Sequence, residues 1–216
     1  MSPTRSNIGR PPKSPGATGW IAPVALLAGL LGLPSCGEAP VAGLRLALAA
    51  DLSGTVSAAS LTAPATADGL ENAVLNVTWE ERATLSCARG TFSNVADLRL
   101  ADLSFAAGTT EAGFAYVRVE LPRGADAGWL TTLLPRPDER AAAQRAFDPN
   151  GDLRSATTTV GLEIEVPGEV MGNQVTPSPR GGGAATEGRR CTLVLPAREM
   201  ERAGAPLTWL VSWRNP

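Results

Sequence analysis

The sequence predicts a mainly β body: a single antiparallel sheet or sandwich domain with one or two short helices. Three observations carry this. Residues 44–48, 114–121 and 160–166 alternate apolar with polar or small side chains, the period-two pattern of a strand with one buried face. Turn signals follow the runs, as in Asp51-Leu52-Ser53-Gly54 and Pro167-Gly168. Apolar residues at helical spacing are confined to short stretches after Gly128 and Pro137.

Taken in order, Leu44, Leu46 and Leu48 mark one face of a first strand, and Asp51-Leu52-Ser53-Gly54 reads as a type I turn. Residues 55–61, small and β-branched, return as the second strand of a hairpin. Residues 63–71, with Pro64 and Gly69, read as a loop. Residues 74–79 and 83–87 form a second hairpin, with Glu80-Glu81-Arg82 as its turn and with Leu85 and Cys87 facing the core. Residues 95–105 read as either a bulged strand or a short helix, because the alternation of Leu98 and Leu100 slips phase before Leu103 and Phe105.

The run 114–121 (FAYVRVEL) is a strand ended by Pro122. Residues 129–134 are apolar at helical spacing between Gly128 and Pro135. Pro137-Asp138-Glu139-Arg140 then opens a helix, with Pro in its first turn and acids at its N-terminus. That helix stops at the turn signal Asp148-Pro149-Asn150-Gly151. In 157–166, Val160, Leu162, Ile164 and Val166 face the core while Gly161, Glu163 and Glu165 face water. Residues 172–190, with Pro177, Pro179 and three consecutive glycines, read as a flexible insertion. Residues 191–195 and 207–213 (LTWLVSW) are the last strands.

Composition removes several chemistries. The chain holds no His, which excludes Ser-His-Asp and Cys-His catalysis and the usual zinc sites. The first 35 residues take three of the 19 basic residues and none of the 21 acidic ones, so residues 36–216 carry a net charge of −5. An acidic body argues against a nucleic-acid partner.

The N-terminal stretch predicts location. Arg5, Arg10 and Lys13 precede the fourteen-residue apolar run 20–33, the layout of an export signal. A helix of that length rises only ~21 Å, short of the ~30 Å hydrocarbon core, so it does not read as a permanent span. The run ends Leu33-Pro34-Ser35-Cys36, which resembles the bacterial lipobox: Leu33, Ser35 and Cys36 match the positions before and at the cysteine that receives diacylglycerol. An ordinary cleaved signal is the alternative. The resemblance implies residues 1–35 as signal peptide, 36–43 as a lipid-anchored tether and 44–216 as a β-rich extracytoplasmic domain. It also implies anchoring on the periplasmic side, at the outer membrane where the host has one, because Gly37 stands in place of Asp.

The mature chain also resembles bacterial lipoproteins with an LppM-like periplasmic domain. The residues involved are LRLALAADLSGTVSA near its start, LEIEVPGEV followed by EGRRCTLVLP, and the closing LTWLVSW. The resemblance implies an envelope role with lipid contact.

Candidate sites follow. With Cys36 acylated, Cys87 and Cys191 remain as a pair that reads as a disulfide in an oxidising compartment; two separate buried thiols are the alternative. Asp148, Asn150 and Asp152 alternate as in the first half of a calcium loop, but Leu153 and Thr159 stand where Gly and Glu belong, so a plain turn is favoured and no metal or cofactor is expected. Glu163 and Glu165 share a strand face, as a carboxylate-dependent hydrolase or a solvated sheet face would have it. Trp129, Leu133, Trp209 and Trp213 are candidates for ligand or partner contact, with burial in the core as the favoured alternative. The function expected is non-catalytic binding or scaffolding at the membrane surface. Its partners are the membrane, through the lipid anchor, and an envelope protein. A carrier of an apolar or lipid ligand is the second reading, and a hydrolase the last.

Overall fold

The computed structural model describes residues 40–61, 75–82, 85–125, 127–152 and 157–216. The expected signal, the lipid-acceptor Cys36 and the loop 63–71 lie outside them. Strands β1 (Ala42–Leu48), β2 (Gly54–Ser60), β3 (Leu75–Arg82) and β4 (Leu85–Phe92) lead to a 3₁₀ turn at Val95–Asp97. Next come β5 (Arg99–Leu100), β6 (Leu103–Thr109), β7 (Ala115–Leu121) and helices α1 (Gly128–Leu133) and α2 (Arg140–Phe147). The chain finishes with β8 (Thr159–Glu165), β9 (Glu169–Thr176), β10 (Gly183–Glu187), β11 (Arg190–Pro196), the single turn α3 (Ala197–Met200) and β12 (Leu207–Arg214).

The strands form two sheets, a seven-stranded one in the order β10-β11-β8-β1-β2-β4-β3 and a five-stranded one in the order β5-β6-β7-β12-β9. The expected mainly β class holds, in the form of a sandwich with three short helices. Every pairing is antiparallel except β1 with β8, whose register sets Gly43 against Gly161 and Arg45 against Glu163. The chain's first described strand therefore sits in the middle of the larger sheet.

The inner faces follow the predicted alternation where it was strongest. Leu44, Leu46 and Leu48 of β1, Val160, Leu162 and Ile164 of β8, and Val117, Val119 and Leu121 of β7 are buried in one core. The surplus inner face of the larger sheet carries the small residues Ala58, Ser60 and Ala88, and α1 lies against β2 there. The Leu61 N–H donates to Leu133 O at 3.0 Å and Ser60 Oγ donates to Thr132 O at 2.6 Å, joining α1 to the end of β2.

Four local expectations need correction. The first hairpin turns two residues early: the Leu52 N–H donates to Ala49 O at 3.1 Å, and Asp51 accepts from Ser53 N and Oγ at 3.1 and 2.6 Å. Leu52 takes φ 66, a left-handed conformation more usual for Gly, and its side chain packs against the core. In the second hairpin Glu80, Glu81 and Arg82 are strand, paired with Cys87, Ser86 and Leu85, and are not its turn. The phase slip in 95–105 comes from a two-residue hairpin: Leu100 pairs with Leu103 around Ala101 at φ 51 and Asp102. The stretch 172–190 is mostly strand. β9 pairs with β12 along its length and β10 pairs with β11.

Where β9 meets β10 the two sheets are tied by one side chain. Asn173 Nδ2 donates to Ala185 O at 2.7 Å and to Thr186 Oγ1 at 3.0 Å, while its Oδ1 accepts from Trp209 Nε1 at 2.7 Å. Asp102 makes a comparable tie at the head of α1. Its two oxygens accept from Gly128 N at 3.1 Å and Trp129 N at 2.7 Å, a cap that Ala127 at the N-cap position has no side chain to supply. Replacing Asp102 with Ala is expected to destabilise the fold by about 1 kcal/mol through these two donors. A urea denaturation midpoint unchanged from the parent chain would refute that role.

Candidate functional site

The concentration of buried charge lies on the outer face of β8. Alternation points Gly161, Glu163 and Glu165 away from the core, but the Glu163 side chain is 0 % exposed. Pairing with β1 on one side and β11 on the other brings Arg45 and Arg190 over it. Arg45 Nε and Arg190 Nε lie 3.1 and 3.0 Å from Glu163 Oε1. Arg45 also donates from its second nitrogen to Glu165 Oε2 at 3.0 Å, and Arg189 stands 4.0 Å from Glu165. The expectation that this whole face meets water fails because the arginine stems cover the carboxylate between them.

Neither Glu163 oxygen receives a well-directed hydrogen bond, so what holds it is charge at close range. Burial pushes the Glu163 carboxyl above its ordinary value, and the opposing pull of Arg45 and then Arg190 is the smaller effect. Beside it runs a cleft lined by Pro40, Val41, Gly43, Ser57, Ala59 and Gly161, with room for about one water molecule. Gly43 is required there, since a Cβ on it would stand 2.1 Å from Gly161 O. The arrangement neutralises Glu163 and Glu165 with shared arginines. A glycosidase pair instead needs its two carboxyls set across an open substrate cleft.

The other expected site residues fall elsewhere. Trp129, Leu133, Trp209 and Trp213 are each 0–1 % exposed and belong to the core, so they offer no surface to a partner. Each indole N–H is satisfied inside the protein: Trp129 by Pro122 O at 3.0 Å, Trp209 by Asn173, and Trp213 by Asn215 Oδ1 at 3.1 Å. The space among Leu46, Phe105, Val119, Ile164 and Trp209 is about 10 Å³, at the lower limit for a single water. Asp148 closes a turn, its backbone and side-chain oxygens both accepting from Gly151 N, at 3.2 and 3.1 Å. Among the described residues no group of three His, Cys, Asp or Glu is placed to hold a metal.

The expected disulfide is a correction. Cys87 and Cys191 are not joined to each other. Cys191 on β11 faces the core beside Leu193 and Leu195, whereas Cys87 on β4 sits out of phase with the inward Ala88 and Phe92, opposite Ala59. Four strand spacings separate β4 from β11, about 19 Å, against a Cα reach of roughly 7 Å for a bridge. Burial pushes the Cys191 thiol up to about 11, which makes it unreactive near neutral pH.

Residues that sequence reasoning did not single out do much of the joining. Arg123 contacts both Glu199 Oε1 at 2.9 Å and Glu199 O at 3.0 Å, and Arg140 pairs with Glu201, so the end of β7 and the start of α2 are both tied to α3. Among the described residues no helix is long and apolar enough to cross a membrane. Comparison with family models, curated proteins and solved structures finds no match for the chain.

Two predictions follow from this geometry. The raised Glu163 value means that the folded chain binds this proton more tightly than the unfolded one. Its stability contribution is therefore complete below 4.5, the ordinary value, and is lost as pH rises through the folded value. Measured against Glu163→Gln by urea unfolding between pH 4 and 8, the parent chain should gain stability as pH falls; a difference flat across that range counts against the buried charge. For the cysteines, alkylation in denaturant without reductant should modify both Cys87 and Cys191 and leave no crosslinked peptide in the digest.

Proposed function

We propose that this chain is a non-catalytic envelope lipoprotein, anchored through acylated Cys36, whose β-sandwich binds or scaffolds an envelope partner at the membrane surface. The signal layout of residues 1–35 and the lipobox-like LPSC support the anchor. One structural observation supports the scaffold over the carrier: the space between the sheets is filled by side chains, with Trp129, Trp209 and Trp213 occupying the volume a lipid would need. A carrier needs an enclosed pocket of several hundred Å³, and the depression of about 510 Å³ beside Gly168, Gly188 and Arg214 is open to solvent. The arginine-neutralised Glu163 and Glu165 likewise give the hydrolase reading no acid–base pair to build on.

The location is an extracytoplasmic membrane face, and the LppM-like resemblance is consistent with such an envelope role. Expression of the full chain beside Cys36→Ser tests the anchor. The parent product should partition with membranes and gain a diacylglyceryl mass on the peptide that begins at Cys36, while the variant should lose both. Membrane partition that survives Cys36→Ser, or an unmodified parent peptide, would overturn it.

A further inference from the structure

The lengths of the tether and of the strands bear on which end of the body meets the bilayer. β1 enters at Ala42, level with the end of β2 and the start of β8, since Gly43 pairs with both Ala59 and Gly161. β11 ends at the same level, with Val194 paired to Gly161 and Pro196 to Thr159. The helices gather there too. Leu133 of α1 is bonded to Leu61, the Ala197 N–H of α3 donates to Thr158 O at 2.8 Å, and α2 is tied to α3 through Arg140 and Glu201. The opposite end is made of tight turns: 49–53, 110–114, 166–168 and 188–189, together with the end of β12.

We propose that the body stands on its helical end, with that end against the lipid headgroups and the turn end pointing away from the membrane. This rests on acylation of Cys36. From Cys36 to Pro40 is four residues, a reach of at most about 14 Å. β1 alone, at seven residues, is about 23 Å long. A chain held at Cys36 therefore keeps Pro40, and the cleft it lines beside Gly43 and Gly161, close to the surface. It is too short to run back along the sheet and invert the body.

Neither flank has reason to lie down on lipid. The part-exposed Arg45, Glu165 and Arg190 lie on the outer face of the larger sheet, and Arg118 and Glu120 project from the smaller one. Removing such charges from water is costly. Among the described residues Met171 is the single large apolar side chain that is exposed. At the helical end Arg136, Arg145, Arg198 and Arg202 stand beside Asp138 and Glu139 while Glu201 is already paired with Arg140, a modest cationic excess that favours anionic headgroups and adds to the constraint set by the short tether.

The test uses the full, acylated chain on vesicles of phosphatidylethanolamine and phosphatidylglycerol that carry a nitroxide on a fraction of headgroups. Single substitutions Asp138→Cys and Arg198→Cys place a fluorophore at the helical end, and Glu111→Cys and Arg189→Cys place it at the turn end. The buried Cys87 and Cys191 stay in place. Intact mass first establishes the acyl group on each variant. Quenching at 138 and 198 should exceed that at 111 and 189 several-fold. Equal or inverted quenching on acylated protein overturns the orientation and leaves the lipoprotein reading standing. A chain without acyl mass overturns both.

Discussion

β8 lies between β1, which it meets in parallel, and β11, which it meets antiparallel, and those two pairings place Arg45 and Arg190 on either side of Glu163. The two arginines, 3.0 and 3.1 Å from one carboxylate oxygen, are what permits a charge to sit fully buried on a sheet face. Removing either arginine would leave the carboxylate with one close cation in place of two. The cluster therefore reports on the central pairing of the larger sheet: wherever β1 and β8 separate, Glu163 loses half of its neutralisation. Gly43 beside it serves the same pairing by letting the two backbones approach closely.

On the inner side the corresponding demand is satisfied with apolar volume and a few directed bonds. Three buried tryptophans fill the space between sheets and helix, and each has its N–H met by a backbone or side-chain oxygen. Asn173 closes the seam between β9 and β10 and satisfies Trp209 in the same stroke. Asp102 supplies a cap that the sequence next to α1 lacks. Among the described residues these buried polar groups hold the body together, and the proposed function rests on the N-terminal signal layout.

Strands with clean alternation were legible from the residues alone. The inner faces of β1 and β8 were read correctly because a period-two pattern with Leu, Ile or Val on every second position leaves one phase to choose. β4 was not. Ser86, Ala88 and Gly90 on one face and Cys87, Arg89 and Thr91 on the other differ too little in hydropathy, and Phe92, which sets the phase, lies five residues beyond the point where the strand was taken to end. The one-residue slip turned Cys87 inward and with it suggested a bridge to Cys191. In β9 and β10, Gly, Asn and Thr read as loop residues; their strand state comes from pairing with β12 and β11, a cause that no local window contains.

The residues of the charged cluster show the same division. Glu163 and Glu165 share a face by strand geometry, which two positions in sequence suffice to fix. That Arg45, 118 positions earlier, would lie against Glu163, and Arg190 on its other side, follows from the parallel pairing of β1 with β8 and from the chain's return to the larger sheet after β9 in the smaller one. The sequence by itself determined the fold class, the core faces of the strongest strands, the absence of histidine chemistry and the expectation of an export signal, because composition and periodicity are local properties. The tertiary structure decided which acids are buried, which tryptophans are covered and which cysteines stand apart, because burial depends on what lies opposite a residue, and that neighbour is chosen by the whole chain.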